Sequence, residues 1–176
     1  MRRAGGRTGF LCALVLLATA ARCTPAASAP GPGAGAAAGA LSALVELMAA
    51  RAGADSVAVA PAPGYSRDRV PLAVWGLIAS LPGLDPTTLT DFERRNAAPA
   101  PFPRLASASV VIRQDASTPG TLALRLSPAG ISASGAQALV VAETVCGAGC
   151  MQGEAFLLRR EGGAWHVATS ATLFIS

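Results

Sequence analysis

The chain has 176 residues, 52% of them hydrophobic and only 14% charged, with a formal net charge of +4. Three of its basic residues, Arg2, Arg3 and Arg7, stand at the extreme N-terminus, and without them 11 basic residues face 10 acidic ones, a net of +1. So weak a balance excludes a design for nucleic acid or an anionic membrane surface, and eight aromatic residues are too few for a base- or sugar-stacking platform.

The first twenty residues read as a secretory signal peptide. Arg2, Arg3 and Arg7 form a basic head, residues 10–18 an apolar run, and Ala18-Thr19-Ala20 a small-residue cleavage site. The apolar run is short for a membrane span. Cys23 is a candidate for lipidation. Arg22 directly before it argues against that modification, and the tether-like segment after it argues in favour. Residues 21–40 are rich in Pro, Ala and Gly and carry no large side chain to bury, so they read as a disordered linker. Residues 41–176 then form one domain, long enough for a real core.

Within that domain Leu41, Leu44, Val45 and Met48 fall on one helical face, with Gly53 as the stop. Residues 56–60 alternate as a short strand. Asp68 and Pro71 predict a helix over 70–81. Asp85-Pro86 predicts another, with Asp85 as N-cap and its end near Asn96. Pro99, Pro101 and Pro103 then force an extended connector. From Ser107 the period changes to two. Strands are expected over 109–113, 121–126, 130–133, 137–144, 153–160, 164–168 and 172–175. The fold class is therefore α+β, N-terminal helices followed by an antiparallel β-meander. By analogy such an order suits a cystatin-like or nuclear-transport-factor-like cone with a pocket.

The order of several short patterns resembles a group of uncharacterised bacterial exported proteins. These patterns are Leu124-Arg125-Leu126-Ser127, Gln137 to Val141, the Cys146-Gly147 and Cys150 turn, Gly163-Ala164-Trp165-His166-Val167, and the ending Phe174-Ile175-Ser176. Asp91-Phe92 with Arg95-Asn96 resembles a helix that such proteins carry upstream. Met151, Gln152 and Phe174 depart from the pattern. The resemblance implies export and domain boundaries; it implies no activity.

Cys146 and Cys150 hold the most chemical question. On an extended strand they would lie about 13 Å apart, and a disulfide needs Cα atoms within about 4.4–6.8 Å. Bridging requires a turn at Gly147-Ala148-Gly149, where two glycines permit one. In an exported protein the pair reads as a structural disulfide, worth roughly 2 kcal/mol for so short a loop. A redox pair would need a nearby cation or helix N-terminus, and the nearest charges are Glu143 and Glu154. A metal site would need three or four ligands, and His166 is the lone histidine.

Glu143 and Glu154 read as solvated rim charges beside that turn. His166 reads as a hairpin residue facing solvent, opposite to Trp165. Ser127 has no nucleophile elbow around it, and Trp75 reads as core. No catalytic residue, metal or cofactor is assigned. The expectation is an exported, periplasmic, envelope or extracellular protein that binds an unknown protein or small ligand without catalysis. It would touch a membrane only through a lipid anchor or an uncleaved signal. The alternative is a thiol-redox or other enzyme built on the cysteine turn.

Overall fold

A computed structural model describes residues 33–98, 101–113, 119–147 and 149–176. The expected signal peptide, Cys12 and Cys23 lie outside the described residues. The elements in chain order are α1 (Ala34–Ala52), β1 (Ser56–Pro61), α2 (Leu72–Ala79), α3 (Pro86–Asn96), β2 (Val111–Arg113), β3 (Thr121–Leu126), β4 (Gly130–Ile131), β5 (Gln137–Gly147), β6 (Cys150–Glu161) and β7 (Ala164–Ile175). The α+β expectation holds at this level: three helices and a mostly antiparallel seven-stranded sheet among the described residues.

The sheet runs β2-β1-β3-β5-β6-β7, with β4 also on β5. The strand expected over 56–60 does not stand apart from the meander. It pairs in parallel with both β2 and β3, placing Val57 opposite Ile112 and Leu122. The strands from β3 onward are antiparallel. The segments expected at 164–168 and 172–175 are one strand, carried through by register shifts opposite Gly153/Glu154 and Leu157/Leu158.

Both faces of the central strands are covered. On one face Ala138, Val140 and Ala142 of β5 and Phe156 and Leu158 of β6 meet Leu41, Leu44 and Val45 of α1. On the other, Leu139, Val141, Ala155 and Leu157 meet Ile78 of α2 and Phe92 of α3. Successive strand residues point to opposite sides. A strand buried on both sides therefore reads as a continuous apolar run, Ala138-Leu139-Val140-Val141-Ala142.

The linker boundary needs correction. α1 starts at Ala34, inside the segment 21–40 expected to be disordered, and Ala37 and Ala40 are buried. Small residues can order here because the sheet supplies the large partner. A Cβ on Gly39 would lie 3.1 Å from Nε1 of Trp165, so glycine lets the helix approach the indole closely. Residues 35–52 are long and apolar enough to cross a membrane, but their buried side chains form the floor of the core.

α2 is shorter than the 70–81 expected, with Pro71 as N-cap in place of Asp68. α3 forms as the sequence predicts. Asp85 caps it by accepting the Thr87 N–H at 2.7 Å, and Pro86 occupies the first turn, where a missing N–H costs nothing. Gln137 ties the start of α3 to the sheet: its Oε1 accepts from Asp85 N and Thr88 Oγ1, and its Nε2 donates to Gly83 O.

Candidate functional site

Where β1, β3 and α3 end, their following segments enclose a cleft of about 430 Å³. Ala62, Pro63 and Gly64 come from the chain after β1, Pro128 from the chain after β3, and Asn96 and Ala98 from the end of α3. Phe102 supplies an aromatic wall, and Arg69 and Arg125 supply charge. The cleft thus lies at the carboxyl ends of two neighbouring parallel strands, where open sheets with parallel strands commonly bind ligands.

One residue of the cleft, Arg125, belongs to a polar triad with Tyr65 and Glu143. Arg125 of β3 stands directly opposite Glu143 of β5 in the ladder. Their side chains form an ion pair, Nη1 to Oε2, of 3.3 Å. The Tyr65 hydroxyl donates to the other carboxylate oxygen, Oε1. Tyr65 and Glu143 are buried, while the Arg125 side chain is 39% exposed toward the cleft. Oε2 of Glu143 is buried and accepts no hydrogen bond of good geometry, so Arg125 is its only compensation among the described residues. Burial first, then the hydrogen bond and charge of Glu143, push the Tyr65 phenol well above its ordinary range; Arg125 opposes this. Tyr65 is therefore a fixed neutral donor at physiological pH.

Arg69 differs from Arg125. It is exposed, lines the same cleft, and makes no ion pair with a described residue. Its guanidinium lies over Gly64, within 3.1 Å of where a Cβ would stand there. Asn96 fixes the cleft wall: Oδ1 accepts the Tyr65 N–H at 3.2 Å, and Nδ2 donates to Phe92 O and Pro128 O.

Glu143 is not a rim charge: it points into the α2/α3 side and is 2% exposed. Glu154 faces the other side, 3.7 Å from Arg51 of α1, so the two carboxylates are not a pair. Asp91 and the neighbouring α3 residues dock the 127–131 segment. Asp91 accepts from Ile131 N at 2.8 Å and from Arg94 and Arg95. Burial raises its carboxyl, but the Ile131 N–H and both guanidinium groups outweigh this and hold it below the usual range. Ser127 is buried and accepts the Val141 N–H, a structural role. Trp75, expected as core, is half-buried against the cluster of Ile78 and Phe92, and His166 is exposed.

The cysteines sit at the far tip of the β5–β6 hairpin. Gly147 pairs with Cys150, and the register shifts between Val145 and Gly147, leaving Cys146 at a bulge. Gly149, at φ 79°, makes the reversal. The Cys146 side chain lies outside the described residues, and Cys150 is exposed. The described residues hold no group of three metal-ligating side chains. No family model matches the chain, and no curated protein or solved structure matches it.

Proposed function

We propose that this is an exported bacterial protein of the envelope or secreted fraction whose domain binds a small anionic ligand without catalysis. The observation that carries the reading is Arg69, a cation without an acidic partner among the described residues, facing the cleft beside Arg125. Arginine forks match a carboxylate by two parallel hydrogen bonds. Proline and Phe102 surfaces offer an apolar bed for the rest of the ligand. Export, and with it a periplasmic, envelope or extracellular location, rests on the N-terminal sequence and on the resemblance of the C-terminal patterns. Whether the anchor is lipid on Cys23 or nothing at all does not alter the site.

A cystatin-like or nuclear-transport-factor-like cone is the finer fold reading. It would enclose a ligand between helices and a curved sheet; the cleft proposed here is lined instead by segments beyond the strand ends. Cys146 and Cys150 are proposed as a structural disulfide at the hairpin tip. The pairing of Gly147, next to Cys146, with Cys150 across the turn supports this.

Octanoate, a carboxylate with an apolar tail, is the simplest probe. Calorimetric titration of the full mature chain should give saturable binding. Arg69→Gln should weaken it about tenfold, the worth of one charge-assisted hydrogen-bond pair. Binding indifferent to Arg69 would overturn the assignment.

A further inference from the structure

A second cleft, of about 460 Å³, adjoins the first and shares Phe102 with it. Its other lining residues include Val59, Ile112, Arg104 and Arg113, and no carboxylate among the described residues. Both arginines are exposed, and neither pairs with a described acid. Val59 lines this cleft and Pro61 the first. Two residues along one strand advance about 7 Å, so the clefts are neighbours along β1 and Phe102 lies between them. Four arginines therefore line two adjoining depressions, and Glu143, the acid beside Arg125, is buried and spent on Tyr65 and Arg125.

Resting on the ligand reading above, we propose that the two clefts form one trough for a dianionic small molecule with an apolar spacer. One carboxylate meets Arg69 and Arg125. The spacer crosses Phe102 and the aliphatic wall of Val59 and Ile112. The second carboxylate meets Arg104 and Arg113. A monoanion fills half of this arrangement and leaves two arginines unmatched. A polar spacer would lose its hydration over Phe102 without gaining a partner.

The test compares octanoate with straight-chain α,ω-dicarboxylates of six to twelve carbons, titrated into the full mature chain at low and high salt. One length in the series should bind about tenfold tighter than octanoate. That advantage should shrink at high salt, where partly exposed charge pairs are screened. It should also vanish in the double variant Arg104→Gln/Arg113→Gln, whose thermal unfolding is checked alongside. If no dicarboxylate exceeds octanoate, or if the advantage survives the double substitution, the trough is wrong while the single-cleft site stands. If octanoate itself fails to bind, or binds equally to Arg69→Gln, the site and the trough fall together.

Discussion

Tyr65 and Glu143 are separated by 78 residues and meet in a buried hydrogen bond, which is why the sequence misplaces Glu143. Beside the cysteine turn it looks like a rim charge. Only its position in line with Leu139 and Val141 hints that it shares their buried face. Tyr65→Phe would leave the carboxylate without that donor and should destabilise the domain by about 2 kcal/mol in denaturant unfolding. The same contact has a spectroscopic signature, because Tyr65 is the only tyrosine. Its folded pKa is raised, so stability is intact below the unfolded value of ~10 and falls as pH rises above it. A native-state absorbance titration should show no phenolate until the domain unfolds. Asp91 works in the opposite direction: its folded pKa is depressed. Its contribution is present above the unfolded value of ~3.9 and is lost as pH falls through the folded value. Asp91→Asn should flatten the acid limb of the stability curve.

Local chemistry made some elements legible. The Asp85-Pro86 start and the Asn96 end of α3 follow from capping rules that need no tertiary partner. Asp85→Ala should cost about 1 kcal/mol, measured by urea unfolding. α1 was legible only from Leu41 onward, since Ala37 and Ala40 are buried in the core and Gly39 lies against Trp165, partners that composition does not reveal. What α3 does is equally hidden. Gly130 lies so close to the backbone of Phe92 that a Cβ there would collide with it. Gly130→Ala should therefore separate α3 from β4 and cost several kcal/mol, about 3 by the scale of core overpacking. The Asp91-Phe92 and Arg95-Asn96 pattern is in this light a docking device: Asp91 holds Ile131, Phe92 fits Gly130, and Asn96 holds Pro128.

For the whole molecule, periodicity gave strands but not their neighbours. The parallel insertion of β1 between β2 and β3 joins residues more than fifty positions apart, and no local signal encodes it. The cleft depends on that insertion, because its walls follow β1 and β3. Arg69 and Arg125, invisible as a site in a sequence whose arginines replace every lysine, acquire meaning only when the parallel strands bring them to one opening. The β5–β6 hairpin, by contrast, was readable from its glycines and flanking apolar runs. If Cys146 and Cys150 are bonded as proposed, the intact mass of the mature chain should rise by two hydrogens on reduction. Stability should then fall by about 2 kcal/mol.

The central claim is that the opening beyond β1, β3 and α3 is where ligand binds. It is tested most directly by an amide chemical-shift titration of the full mature chain with octanoate. The predicted result is saturable shifts at Ala62, Gly64, Arg69, Asn96, Ala98 and Arg125, which surround one cleft, with the cysteine hairpin unmoved. Shifts gathered instead around Cys150, or none at a concentration that saturates binding by calorimetry, would contradict it.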